Sequence, residues 1–218
     1  LLIVLASLLP GAFWLWYFNR YDVWEKEPVW RLLLTTAAGA ISVVPALIWE
    51  APFTDLFSAS NSLAMQVFLS FLVVGLGEEL CKLLAVILSA FRTSEFNEPM
   101  DGIIYAAAAA IGFSVVENVL YITSFGLAIA PLRATVSTLA HIAFSGLGGY
   151  FLGLAKMAPK PWAAALLSLI VAAFLHGAFD FLLITGLVAP GVLVIAILGL
   201  QALLFGAIRN AVSLSPFR

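Results

Sequence analysis

Two adjacent glutamates and a lysine stand inside an apolar run. Gly75–Lys82 reads GLGEELCK, with Val73 and Val74 before it and Leu83–Leu88 after it. Charged side chains at bilayer depth cost at least ~2.5 kcal/mol each on insertion scales and mark function by default. A chain that keeps Glu78, Glu79 and Lys82 this close together must find partners for them, and that demand restricts its fold more than any other feature.

The surroundings of the run set its solvent. The chain is 63% apolar and 10% charged over 218 residues, against roughly 45–50% and ~25% in soluble domains, so it is an integral membrane protein. Its length suits a single all-α domain, 1–218, with a motif-bearing core at about 63–184 and no second soluble domain. A net charge of −2 argues against nucleic acid as a partner and leaves the lipid bilayer as the surrounding phase. The lone Cys81 excludes an internal disulfide and a multi-cysteine zinc site.

Taking about 20 residues per crossing, seven apolar segments qualify. They lie near Leu1–Phe18, Leu32–Trp49, Leu63–Phe91, Ile103–Phe125, Ala134–Leu154, Trp162–Ile184 and Gly191–Ile208. Basic residues follow the odd-numbered spans: Arg20, Lys26 and Arg31, then Arg92, then Lys156 and Lys160, then Arg209 and Arg218. The loops after the even-numbered spans carry only Arg133. The positive-inside rule turns this alternation into an outside N-terminus and a cytoplasmic C-terminus in a bacterial-type cytoplasmic membrane. An eighth span arises only if the third is split, which breaks the alternation; one long, tilted or kinked helix keeps it. Trp14, Trp16, Tyr17, Trp24 and Trp30 read as an interfacial belt. The small residues of Ala106–Ala110 and Gly146–Gly153 read as sites of close helix packing.

The interior polar groups are few. They are Glu78, Glu79 and Lys82 on span 3, Glu117 on span 4, His141 on span 5, and His176 and Asp180 on span 6. Both histidines of the chain are among them, and four successive helices contribute. Glu78 and Lys82 share a helix face at i,i+4. His176 and Asp180 do likewise, which suits an aspartate fixing an imidazole or two ligands meeting one metal. From the topology, Glu117, His141 and His176 each fall about 7–9 residues from the outer end, ~11–14 Å at 1.5 Å per residue. Glu78 lies somewhat deeper. These depths place one shared site among spans 3–6, in the outer half of the membrane.

Such a set suits the activation of water. A desolvated glutamate can take a proton from water as general base, and histidines opposite it can stabilise a developing oxyanion. A zinc reading uses His141, His176, Glu78 and Glu117, without the HExxH spacing that would strengthen it. No cofactor is expected, with zinc as the alternative. A proton-coupled transporter and a non-catalytic scaffold are the other classes; the short chain without repeated halves speaks against the transporter.

The motifs resemble a known family. Glu78-Glu79-Leu80-Cys81-Lys82 matches an EExxK motif, Phe113 to Glu117 an FxxxE motif, and His176 to Asp180 an HxxxD motif. Their order is similar to that of the PrsW family of intramembrane proteases, within the CAAX-protease and bacteriocin-immunity superfamily, and the likeness runs from about Pro10 to Ile208. The resemblance implies a glutamic-type endopeptidase making a first cut in a single-span substrate such as an anti-sigma factor, near its extracytoplasmic side. It implies Glu78 or Glu79 as the base and His176, oriented by Asp180, as an essential partner. Where the wider superfamily has histidine, this chain has Glu117, and His141 is expected to fill that vacancy. Lys82 is expected to balance a neighbouring glutamate. As neighbours on a helix, Glu78 and Glu79 are not expected to face the same point.

Overall fold

The computed structural model describes residues 1–59, 62–157 and 161–218, so Lys160 lies outside the described residues. All regular structure among these is helical. The principal helices are α1 (Leu2–Asn19), α2 (Val29–Ile41), α3 (Val43–Glu50), α4 (Leu76–Val86), α5 (Pro99–Phe125), α6 (Thr138–Met157), α7 (Pro161–Thr185) and α8 (Pro190–Ser213). Among the described residues, six helices are long and apolar enough to cross a membrane, one fewer than the seven spans expected, and with the remaining helices they make the expected polytopic bundle.

The expected third span departs from regularity. The chain is helical over 63–91, but α-helix at Leu63–Val67 and Leu76–Val86 alternates with wider π-type stretches at Phe68–Gly75 and Ile87–Phe91. π-type turns often mark functional sites, and here they bracket the glutamate pair. The wide turn also leaves a carbonyl open to a side-chain donor. The indole N–H of Trp49 gives a hydrogen bond to the Val73 carbonyl at 3.0 Å. The expected second span is interrupted at Ser42, between α2 and α3, where Pro45 has no N–H for the Ile41 carbonyl.

Helix α5 is the axis of the bundle. Pro99 supplies its first turn, while Glu98 and Asp101 form a reciprocal capping box. Asp101 Oδ2 accepts the backbone N–H of Glu98 at 2.8 Å and of Asn97 at 2.6 Å. From Pro99 to Ser114 every residue is buried, as expected of a helix packed on all sides. Lipid gives apolar helices little reason to associate, so close backbone approach through small residues does the work. Gly149 of α6 lies against Gly102 of α5, and a side chain at either would run into the other's carbonyl. Gly39 of α2 meets the backbone of Ala109 in the same way. Around this axis, α4 packs among α2, α3, α5, α6 and α7.

At the end of the bundle where α5 begins, four carboxylates are buried together: Asp22, Glu27, Glu98 and Asp101. The Glu27 N–H donates to Asp22 Oδ2 at 3.0 Å, and the Tyr105 hydroxyl donates to Glu27. Burial pushes Asp22 up to about 7 and Glu27 up to about 10. Both groups hold protons more tightly folded than unfolded, so their stabilisation is present at low pH and is lost as pH rises through those values. The unfolding temperature of the detergent-solubilised protein should therefore fall from about pH 4, where the unfolded carboxyls lose their protons, to about pH 10. Glu27→Gln, neutral throughout, should flatten the part of that fall above about pH 7; an unchanged slope would contradict the assignment.

Candidate functional site

The site is assembled around Lys82. Successive residues of an α-helix are rotated by about 100°, so Lys82 sits roughly 40° from Glu78 and 60° from Glu79, between the two. Its Nζ lies 3.1 Å from Glu78 Oε2 and 2.8 Å from Glu79 Oε1. The adjacent glutamates thus converge on one cation, against the expectation that they must face apart. The long lysine side chain lies between their diverging directions. Nζ reaches a third partner, His141 Nδ1 of α6, at 3.0 Å. It also stands over the Phe113 ring of α5, 4.1 Å from the centroid. An ammonium has three donors, and all three are engaged.

The two histidines meet edge to face, with ring centroids 5.0 Å apart. His141 Nε2 bonds Glu117 Oε2 at 2.8 Å. His176 Nδ1 bonds Glu79 Oε1 at 2.9 Å, and its ring stacks on Phe144 at 5.2 Å. Asp180 was expected to orient His176, but its Oδ2 lies 3.5 Å from Nε2, and Glu79 is the tighter partner. Glu78 Oε2 is 3.8 Å from the same Nε2. Ser145 donates to Glu79 Oε2 at 2.6 Å. Glu79 therefore takes hydrogen bonds from Lys82, His176 and Ser145, whereas Glu78 takes one from Lys82 among the described residues.

The seven residues singled out from the sequence are all brought together, and others join them. Arg133 Nη2 lies 2.8 Å from Glu117 Oε2. Glu50, at the end of α3, is within electrostatic reach of Glu78, Glu117, His176 and Asp180. Ser145 had a legible signal, since it follows His141 by four and shares its face. Arg133 and Glu50 had none beyond a charge beside an apolar run. The side chains of Glu117, Arg133 and Asp180 are 16–19% exposed, against 1% for Lys82 and Glu79. The cluster is thus sealed at Lys82 and open at the Glu117–Asp180 side. A cavity of about 20 Å³ beside Glu79, Lys82, Ser145 and Ser168 has room for about one water.

Ligand atoms of Glu78, His141 and His176 lie within 4.8 Å of one another, all on buried residues. One carboxylate and two imidazoles suit zinc, so the donor set fits that metal. Glu117, expected as a further ligand, stands outside this trio and backs His141 from the far side of its ring.

A polytopic helical bundle that gathers carboxylates, imidazoles and an ammonium on neighbouring helices has the groups that a membrane-embedded hydrolase needs to activate water. The sequence model of the PrsW family, described as an intramembrane metalloprotease family, matches residues 27–207. Proteins named Protease PrsW are similar over most of their length. The one from Geobacillus kaustophilus is 33% identical, covering 84% of this chain and 80% of that protein. That from Bacillus subtilis is 32% identical over 83% and 82%, and that from Clostridioides difficile 31% over 84% and 78%. No solved structure gives a significant match. The chain belongs to the PrsW family of intramembrane proteases.

Breaking the central cation should be costly. Lys82→Met leaves two buried carboxylates without their counter-charge, and removing one partner of a buried pair typically costs about 3–5 kcal/mol. A large drop in unfolding temperature is expected. It should be smaller when the change is made in a Glu79→Gln background, and equal drops in both backgrounds would contradict the pairing.

Proposed function

We propose that the protein is an endopeptidase that hydrolyses a peptide bond of a single-span, anti-sigma-factor-like membrane protein, using water activated by a glutamate. The cut falls near the extracytoplasmic side, in a bacterial cytoplasmic membrane, with the N-terminus outside and the C-terminus cytoplasmic. The alternation of basic residues along the sequence supports this orientation, and the relative openness of the Glu117–Asp180 side supports entry of water there. The observation that carries the reading is Glu78, lightly hydrogen-bonded and flanked by both imidazoles at membrane depth.

Of the two glutamates, Glu78 suits the base. Glu79 is occupied by three donors, while Glu78 keeps acceptor capacity for a water. In this mechanism Glu78 takes a proton from water as the oxygen attacks the scissile carbonyl. The tetrahedral oxyanion forms in the field of Lys82 and is stabilised by His176, whose Nε2 faces Glu78 and Asp180. As the C–N bond breaks, the proton held by Glu78 passes to the leaving amine nitrogen. Glu79 orients His176, and Glu117 orients His141.

A zinc-assisted variant is favoured by one specific observation, the Glu78, His141 and His176 trio. Held there, the metal supplies Lewis-acid chemistry and lowers the pKa of water. Carboxylates behind both imidazoles, Glu117 and Glu79, are what such ligands commonly have. The glutamic reading is preferred because the Lys82 ammonium already engages two of the three donors, Glu78 and His141.

Glu78→Ala, Glu79→Ala and His176→Ala should each abolish cleavage of a co-expressed single-span substrate while leaving the protein inserted in the membrane. Full cleavage by all three would refute the proposal. Elemental analysis of the purified protein, with a chelator added to the cleavage assay, decides the mechanism. Activity that survives chelation without stoichiometric metal is expected; one zinc per chain with loss on chelation would establish the variant.

A further inference from the structure

Arg133 was legible in the sequence only as an isolated basic residue in a loop. In the structure it occupies a built cradle. Its Nε donates to Asn118 Oδ1 at 2.9 Å, and its guanidinium lies over the Tyr121 ring at 3.9 Å. Asn118 and Thr138 donate to its backbone carbonyl at 3.4 and 3.2 Å. The cradle comes from one face of α5, with Glu117, Asn118 and Tyr121 within five residues, and from the π-type stretch Arg133–Ser137 that leads into α6. So many contacts fix the direction in which the guanidinium points. It points at Glu117.

Glu117 Oε2 is ion-paired with Arg133 Nη2 on one side, at 2.8 Å but outside hydrogen-bond geometry, and hydrogen-bonded to His141 Nε2 on the other, also at 2.8 Å. Beyond the ring, His141 Nδ1 lies 3.0 Å from Lys82 Nζ. Arginine and lysine can only donate hydrogen bonds. With a donor-only cation at each end, the chain Arg133–Glu117–His141–Lys82 has one consistent arrangement of protons. The Glu117 carboxylate, ion-paired with Arg133, accepts from His141, which carries its proton on Nε2 and presents the Nδ1 lone pair to Lys82.

We infer that Arg133 is a positioning residue of the proteolytic site: through Glu117 it fixes the orientation of His141, whose tautomer Lys82 sets, and it does not itself touch the ring. The inference rests on the catalytic reading above for its effect on rate, but not for its effect on the imidazole. Lys82 holds the other end of the same chain, and its removal also disturbs both glutamates, so Arg133 is the end at which the effect can be isolated. The guanidinium fork and its stacking on Tyr121 are matched to arginine geometry, and lysine, a point charge on a flexible stem, reproduces only the charge.

The test uses the full-length protein in detergent or nanodiscs, with histidine ¹⁵N-labelled, and Arg133→Met and Arg133→Lys compared with wild type. The wild-type His141 spectrum should show a protonated Nε2 and an unprotonated Nδ1. Arg133→Met should keep that tautomer but shift and broaden the protonated Nε2 resonance as its bond to Glu117 loosens, and lower kcat on the order of 10–100-fold, the size seen for partners that orient metal-binding imidazoles, with KM little changed. Arg133→Lys should restore part of both, and it carries the test alone if Arg133→Met does not fold. A wild-type His141 spectrum in both variants, or a loss confined to KM or to unfolding temperature, would overturn the inference. If Glu78→Ala remains active while the spectra behave as expected, the catalytic reading fails and the positioning of His141 stands.

Discussion

The ammonium of Lys82 is the contact on which the centre of this molecule depends. A charge carried into the bilayer must be compensated where it stands, because neither water nor distant counter-ions can do it. Lys82 compensates two carboxylates and binds one imidazole, using all its donors, and these groups belong to helices from two parts of the chain. Each tie removes a freedom that lipid would otherwise allow, since apolar helices slide and rotate in hydrocarbon at little cost. The polar centre thus helps set helix register, while the Gly–Gly and Gly–Ala approaches along α5 set helix distance.

The same contact bears on the chemistry. A site for water inside a membrane needs polar groups that are held without being exhausted. Glu79 is held by Lys82, His176 and Ser145, which ties its position to that of His176. Glu78, one residue earlier and turned to the other side of Lys82, is not. Identical side chains at consecutive positions therefore occupy unlike environments, and the difference follows from helix geometry around one lysine. The imidazoles show a matching pattern, each backed by a carboxylate, Glu117 for His141 and Glu79 for His176.

Much of this was legible in the sequence, for physical reasons. Ionisable residues are so costly in apolar spans that each interior one stands out, and helical spacing shows which share a face. That logic led to Glu78, Glu79, Lys82, Glu117, His141, His176 and Asp180, which the fold brings together. It could not reach Arg133 or Glu50, because a charge at the edge of a span is ordinary in a membrane protein and carries no mark of where it points. It also misjudged how two neighbouring glutamates relate, since pairwise spacing omits the lysine that reaches both. The partner of His176 was chosen by spacing along one helix, Asp180, when a residue from another helix, Glu79, was nearer. The irregular turns of 63–91 were equally hidden, because the apolar pattern there is continuous.

Those irregular turns have a consequence for how the chain tolerates change in length. A π-type turn accommodates a residue that regular α-helix would spread along the axis, and each residue of α-helix corresponds to about 100° of rotation. The stretch Phe68–Gly75 therefore acts as slack upstream of the glutamate pair. Loss of one residue there can be absorbed by tightening into regular helix, whereas the same loss between Glu79 and Lys82 would turn the carboxylates away from their cation. Along a single span, the chain is elastic in one place and of fixed length in the next.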